Sequence, residues 1–585
     1  MDQPIRIANC SGFYGDRLAA AREMVEGGPI DVLTGDWLAE LTMLILARRR
    51  AKDTRGGYAR SFVTQMEQVL ATCAERGIKV VSNAGGLDPA GCAQAVAEIA
   101  DRQGLALTIA YVHGDDLVER LGELSAAGVL SDFETGAPFT PGATLTANAY
   151  FGAFGIAEAL ARGADVVITG RVTDAALVAG PAAWHHGWAR DDWDRLAGAV
   201  VAGHVIECGA QATGGNYSFF TEVPGMEYVG FPWAEVFEDG SSVIGKHDGT
   251  GGEVSVGTVT SQLLYEIGGP RYLGPDVTTR FDTIEVAAIG PDRVRISGAT
   301  GEPPPARLKV VTNELGGYRQ DLRVALTGLD IEAKADLVER AFWRASPHRP
   351  EEYERVTTRL ARTDKADPAT NDEAVAVWHL TVRDHDERTV GRPLANAAVE
   401  IALTTVPGFF SLSAAPGPAE PFGVYRPALV DADVVPQYVT FLDGPTILVE
   451  SVAPAGAPPT VDGPDVPEPL ELEPTERAPL GRVLGARSGD KGGHANVGVF
   501  ARTDDAYRWM VGFLTVERLR ELLPEARDLV VEAYDLPHLR ARNFVIRDLL
   551  EEGVAASSRL DKQAKGLGEW LRSRVVEIPR ALLAP

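Results

Sequence analysis

The chain has 585 residues, 45% of them hydrophobic and 24% charged, with 62 glycines and 37 prolines; this globular composition excludes collagen-like and disordered chains. Its 82 acidic residues outnumber 56 basic ones, giving a formal charge of −26. So acidic a surface repels nucleic acid and anionic lipid, and an anionic substrate would require a local basic pocket.

Over the first two hundred residues, short aliphatic runs alternate with helical spacing. Ile5–Asn9, Val32–Leu33, Ile78–Ser82, Leu105–Val112 and Val166–Thr169 read as buried strands that stop at small or polar residues. Between them Phe62–Arg76, Pro89–Arg102 and Ile156–Arg162 carry apolar residues at helical intervals. That alternation predicts an α/β domain with a mainly parallel sheet, open or closed, and binding residues in the Gly-rich loops after the strands. Arg195–Gln211 reads as a further buried helix. Beyond Tyr228 the pattern is mixed, with strand candidates Thr283–Val286, Val294–Ile296, Val375–Val382 and Ala397–Leu403 and a helix near Ile331–Arg344.

Ala453–Pro479 holds eight prolines and six acidic residues without apolar periodicity, the composition of a stiff, solvated linker. It divides a large α/β domain over 4–452 from a small α+β domain over 480–585. In the latter, strands are expected near Arg482–Ala486, Asn496–Ala501 and Leu529–Tyr534, with helices between and after them.

The four cysteines, Cys10, Cys73, Cys92 and Cys208, form neither a disulfide framework nor a CxxC metal site. The opening MDQPIRIANC lacks a basic stretch followed by an apolar core, and no apolar run reaches the ~18 residues of a membrane span. The expectation is a soluble, reduced, cytoplasmic protein without nucleic-acid or membrane partners, and a homo-oligomer. GxxxxGK[ST], HExxH and GxSxG are absent, which argues against P-loop, zinc-protease and α/β-hydrolase chemistry.

Four Gly-rich segments carry the candidate chemistry. In Ser82-Asn-Ala-Gly-Gly-Leu-Asp88, Asn83, Gly85 and Gly86 precede a helix capped by Asp88; they read either as ligand contacts or as a tight turn. In Thr169-Gly-Arg-Val-Thr-Asp174, Arg171 is suited to forking a carboxylate or phosphate, Thr173 lies beside it, and Asp174 can orient the ligand or act as a base. Lys246-His-Asp-Gly-Thr-Gly-Gly252 reads as an anion nest, with Lys246 as point charge and Gly249, Thr250, Gly251 and Gly252 as backbone donors. Ala486-Arg-Ser-Gly-Asp-Lys-Gly-Gly-His494, between two strands of the small domain, is expected to be a cationic loop carrying Arg487, Asp490, Lys491 and His494; Arg487 and Ser488 would bind, and Asp490 and Lys491 would join Asp174 as catalytic candidates. Gly215 and Asn216 lie in a polar turn that lines the pocket or caps a helix. His204, Glu207 and Cys208 share one helix face at metal-ligand spacing, but on so apolar a helix they read better as packed core.

The ordered segments NAGGLDP, ITGRVTDAAL, ECGAQATGGN, KHDGTGG with LLYEIGGPRYLGPDV, and RSGDKGGHANVGV with YDLPHLRARNFVI resemble the acyclic terpene utilisation protein AtuA family over nearly the whole chain. The resemblance implies a small ferredoxin-like domain at the C-terminus. It departs at His247, where many members carry Pro, so His247 is set aside as a catalytic residue. The family is associated with catabolism of acyclic terpenes such as citronellol and geraniol, alongside acyl-CoA carboxylases, dehydrogenases and hydratases. The implied ligand class is a branched acyl-CoA thioester. The resulting expectation is a lyase or hydro-lyase with no redox cofactor, CoA entering as part of the substrate and a divalent ion left open. Its rival is a non-catalytic subunit that binds acyl-CoA or a carboxylase component.

Overall fold

The computed structural model describes residues 3–53, 56–412, 417–450 and 464–583. Contacts divide the chain into one unit of Met1–Asn313, Tyr425–Val554 and Asp561–Pro585, and a second of Glu314–Val424 and Ala555–Leu560.

The first unit is built on an 11-stranded sheet. Its centre is five parallel strands in the order Ile5–Asn9, Val32–Gly35, Lys79–Ser82, Val166–Thr169, Ile109–His113. On one side, Pro232–Val236, Ser242–Lys246, Arg293–Ser297 and Glu285–Gly290 add antiparallel to one another; on the other, Gln437–Phe441 and Thr446–Val449 do the same. The sheet is therefore mixed and open, not mainly parallel. The cause is connectivity: the hairpins beyond residue 230 need no crossover helix and can pair only antiparallel.

Strand alternation assigns the two faces. Ile7, Val32, Val81 and Val167 pack with helices Phe154–Ala161, Ala176–His186 and Trp193–Ile206. Their neighbours Ala8, Leu33, Val80 and Val166 pack with Ala20–Gly27, Arg60–Arg76 and Pro89–Gln103. A sheet covered on both faces explains why these strands read as continuous apolar runs. Pro89–Gln103 starts as its sequence predicts, with the Asp88 side chain accepting from Gly91 N at 2.9 Å and Pro at the first turn.

The small C-terminal sheet also belongs to this unit. It is antiparallel throughout, in the order Leu484–Lys491, His494–Ala501, Ala541–Ile546, Val531–Leu536. The segment expected to be a cationic loop is mostly strand: Arg487 pairs with Gly498 and Lys491 with His494, so only Gly492 and Gly493 turn. Of the expected linker, 453–463 lies outside the described residues. Residues 464–474 have no helix or strand and none is buried, whereas Thr475–Pro479 pairs with Val575–Pro579.

In the second unit, the strand stretch Tyr318–Thr327 pairs antiparallel with Val375–Asp384, which pairs with Arg355–Ala361. Helices Ile331–Ala345 and Arg392–Glu400 cover it, burying Val338, Phe342 and Leu394 against Trp378 and Leu380. The strand expected over Ala397–Leu403 is the end of that second helix and its following turn. Ala395, Ala397 and Ile401 are buried while Val399 is 56% exposed, a helical rather than alternating spread.

Candidate active site at the strand ends

All five parallel strands deliver polar residues to one edge of the sheet, the position where open α/β sheets bind ligands. After the second strand, Asp36 N donates to Ser11 O, and Asp36 Oδ1 accepts from Asn83 Nδ2 at 2.5 Å and from Leu38 N at 3.1 Å. Asn83 Oδ1 in turn accepts from Trp37 N at 2.8 Å. Asn83 therefore ties two loops together. A Cβ on Gly85 would lie 2.5 Å from the Thr169 carbonyl, so the turn reading accounts for this glycine: two loop backbones pass too closely for any side chain.

Arg171 is 3% exposed. Its backbone N donates to Asp115 Oδ2 at 2.8 Å, its Nη1 to Leu38 O at 2.7 Å, and its guanidinium lies 4.3 Å from the Tyr150 ring centroid. Nη2 stands 3.2 Å from Asp174 Oδ1, while Nε is buried without a hydrogen bond. Burial opposes its charge, but Asp174, Tyr150, Glu40 and Asp36 outweigh burial and hold it protonated. Thr173 turns the chain through backbone bonds to Phe151 O and Ala176 N.

Asp115 supports this loop from below. Its Oδ2 also accepts from Asn148 Nδ2 at 2.8 Å, and burial lifts its carboxyl to about 7 despite both donors. Gly170 is required here, since a Cβ would fall 2.3 Å from Asp115 Oδ1.

Several groups of the cluster escape local sequence reading. Tyr150 OH donates to Glu40 Oε1 at 3.0 Å, and Lys309 Nζ lies 3.8 Å from the same oxygen. Lys309 also faces the rings of Tyr150, Tyr425 and Phe133 at 5.0, 5.8 and 6.0 Å. Burial opposes the Glu40 charge, yet Lys309 and Arg171 keep its carboxyl below the usual range. Glu40 opens a helix and Lys309 sits within the long strand Arg307–Thr327, so neither stands beside a glycine loop that would mark it.

The small sheet closes the other side. Strand alternation points Arg487, Gly489 and Lys491 at one neighbouring segment: Arg487 stacks 4.1 Å over Tyr265, a Cβ on Gly489 would meet Tyr265 at 2.4 Å, and Lys491 lies 5.5 Å from the Tyr272 ring. Lys491 Nζ donates to Glu266 O at 2.8 Å, and Arg487 Nη2 donates to Gln211 Oε1. Burial and Lys309 push the Lys491 ammonium down, against Glu266, Glu40 and Glu207. Asp490 is pushed well up, first by burial, then by Glu266 and Glu40, and its Oδ1 has no hydrogen-bond partner. Ser488 is structural: its Oγ donates to Ala564 O at 2.6 Å and accepts from Gly568 N at 2.8 Å.

His204 and Glu207 border the same cluster. Both are buried, at 1% and 6% exposure, with His204 Nδ1 3.3 Å from Glu207 Oε1. His204 packs against Tyr272 and Phe281, and burial drives its imidazole down to about 4. Burial, Asp174 and Glu266 push the Glu207 carboxyl well up, and burial likewise raises the Cys208 thiol. Among the described residues, no group of three His, Cys, Asp or Glu side chains is placed to hold a metal ion.

Glu40 is a charged neighbour common to Arg171, Asp174, Asp490 and Lys491; Lys246 does not join them. Its Nζ donates to Thr250 O at 2.8 Å and pairs with Asp292 at 3.1 Å. Its strand is five strand positions from Val166–Thr169 in the sheet order, roughly 24 Å at ~4.8 Å per strand. Gly249–Gly252 close a local turn, in which Gly252 N donates to Pro224 O and Gly251 O accepts from Gly230 N. His247 Nε2 sits 2.9 Å from Met24 O, a packing contact. Gly215 N donates to Ala210 O as a helical-turn cap, and Asn216 is exposed at φ 58°.

The sequence profile of the acyclic terpene utilisation family protein AtuA matches residues 5–441, which include the parallel strands and the Arg171 loop. The chain belongs to the AtuA family. The AtuA ferredoxin-like domain matches 478–577, the segment that contributes Arg487, Asp490 and Lys491. No curated protein and no solved structure matches the chain. Each AtuA match thus contains charged residues that have Glu40 as a neighbour, Arg171 and Asp174 in the larger and Asp490 and Lys491 in the smaller. Among the described residues, no helix is long and apolar enough to cross a membrane.

Proposed function

We propose that this AtuA-family chain is an enzyme of branched-chain or acyclic isoprenoid acyl-CoA catabolism, a non-redox lyase or hydro-lyase acting on the thioester. The observation that carries this reading is the Asp174–Arg171 ion pair at 3.2 Å, which has Glu40 as a charged neighbour in common with Asp490 and Lys491. Proton abstraction beside a thioester requires a carboxylate base and a cation or N–H donor for the enolate oxygen. Asp174, ion-paired to Arg171, serves as the base, with Lys491 facing the developing negative charge. Carboxyls whose burial favours the neutral form leave the cations in local excess, which suits an anionic thioester on an otherwise acidic chain. Absence of a GxGxxG fingerprint favours a non-redox reaction.

The test assays Asp174→Asn and Asp490→Asn for both binding and turnover of branched acyl-CoA thioesters. Retained binding with turnover at least a hundredfold lower is expected from loss of a general base. Turnover unaffected in both variants would refute the reading.

A further inference from the structure

The buried pair at the end of helix Trp193–Ile206 is the strongest group left without a role. Glu207 Oε2 is buried without a hydrogen bond, while Glu207 Oε1 lies 3.3 Å from His204 Nδ1 and His204 also bonds the Leu263 backbone. An unpartnered buried carboxyl oxygen is destabilising, and implies a partner that comes with the ligand or a functional use. The pair is fixed from several sides. Asn9 Nδ2 donates to the Glu207 carbonyl at 3.2 Å, and a Cβ on Gly12 would meet the Cys208 backbone at 2.3 Å. His204 stands between the Glu207 carboxyl and the rings of Tyr272 and Phe281, while Lys491 faces Tyr272 from the small sheet.

We propose that Glu207 is the proton donor to a leaving oxygen, with His204 as its positioning residue, so that the thioester handled here carries an oxygen on the carbon β to its carbonyl. This rests on the acyl-CoA reading above and narrows it to the hydro-lyase branch. The groups around Glu207 divide into those that favour its proton, Asp174 and Glu266, and those that favour the carboxylate, Lys491 and Arg171; burial, the largest influence, favours the proton. The positive charges of Lys491 and Arg171 then favour the carboxylate formed when the proton leaves. His204, neutral beside it, does not compete for that proton.

The balance is that of an elimination. Asp174 takes the proton from the α carbon, and the C–H electron pair becomes the α,β double bond as the β C–O bond breaks. The leaving oxygen takes the Glu207 proton and departs as water. One proton is accepted and one released, so transfer from Asp174 to Glu207 through solvent restores the site with no redox partner.

The experiment uses the full chain with a 3-hydroxyacyl-CoA and the corresponding 2-enoyl-CoA, both branched. Glu207→Gln keeps size and polarity; its unfolding transition, compared with the parent, checks the fold. We expect the variant to retain exchange of the α proton with D2O to within about threefold and to lose dehydration by at least a hundredfold, the scale of a lost general acid. Infrared difference spectra at neutral pH, parent minus variant, should show a protonated carboxyl carbonyl band, and His204→Phe should shift it. Parallel loss of exchange and dehydration, or dehydration retained within about tenfold, overturns the assignment. So does a missing carbonyl band in an active parent protein. A carbonyl band in a parent that neither exchanges nor dehydrates either thioester would instead overturn the acyl-CoA reading, and the role of Glu207 with it.

Discussion

Asn496 Nδ2 donates to Asn543 Oδ1 at 2.9 Å between adjacent strands of the small sheet, and both residues are fully buried. The remaining capacity of both amides is directed at Leu264–Gly268. Asn496 donates to Leu264 O and accepts from Glu266 N, while Asn543 donates to Ile267 O and Gly268 O. This pair holds Glu266 at φ 55° and so places the carbonyl that receives Lys491.

Asn543→Leu would leave the buried Ile267 carbonyl, the half-buried Gly268 carbonyl and the Asn496 amide short of partners. At roughly 1–3 kcal/mol for each unsatisfied buried group, a loss of about 2–5 kcal/mol is expected. Urea unfolding of the full chain measures it. A loss below about 1 kcal/mol would show that water or relaxation replaces these bonds.

Why was part of this arrangement readable and part not? Arg171 and Asp174 announce themselves because charged residues just beyond a β-branched run have no apolar role to play. Glu207 is visible as a polar residue on an apolar helix, but the same spacing equally suits core packing, and only the unpartnered oxygen separates the two. Glu40 and Lys309 carry no local mark; they meet because a helix start and a mid-strand position are joined by tertiary structure. The sheet's central strands follow from βα alternation, whereas its antiparallel wings depend on hairpin pairing across long separations. Glycines are the ambiguous case: Gly85 and the 249–252 turn satisfy backbone packing, which sequence alone cannot tell from ligand approach.

Asp115 gives the protein a pH-dependent stability. Its folded carboxyl lies at about 7 against 3.8 for the free group, so the native state holds its proton more tightly than the unfolded chain. That contribution is fully present below about pH 4 and is lost as pH rises through about 7. At about 1.4 kcal/mol per pH unit, Asp115 accounts for a decline on the order of 4 kcal/mol across this window. Asp276, lifted by burial to about 6 while accepting from Ala153 N, adds in the same direction. Asp115→Asn should flatten the slope of unfolding free energy between pH 4 and 7. An unchanged slope would remove Asp115 as its source.

Gly170→Ala tests the platform under Arg171. The new methyl would lie 2.3 and 2.7 Å from the two Asp115 carboxylate oxygens, and the buried carboxylate must withdraw from Arg171 N. Loss of that bond is expected to lower stability by about 1–3 kcal/mol. Displacement of the guanidinium should weaken acyl-CoA binding by at least tenfold, about 1.4 kcal/mol. Normal binding together with lowered stability would confine Asp115 to a structural role.

Arg171→Lys and Lys246→Ala distinguish the Arg171 segment from the Lys246 turn as ligand contacts. Arg171→Lys preserves charge but gives up the planar stack over Tyr150 and the bond to Leu38 O, and a lysine cannot fork a carboxylate or thioester oxygen. Binding of a branched acyl-CoA should weaken by at least about tenfold. Lys246→Ala removes a cation whose bonds end on Thr250 O and Asp292, five strand positions away in the same sheet. It should lower stability by about 1 kcal/mol through those lost contacts and leave acyl-CoA affinity within about twofold. Calorimetric titration of both variants against the parent protein decides the matter. If Lys246→Ala weakens binding as much as Arg171→Lys, the ligand reaches well beyond the parallel strand ends, and a site confined to Asp174, Asp490 and Lys491 is wrong.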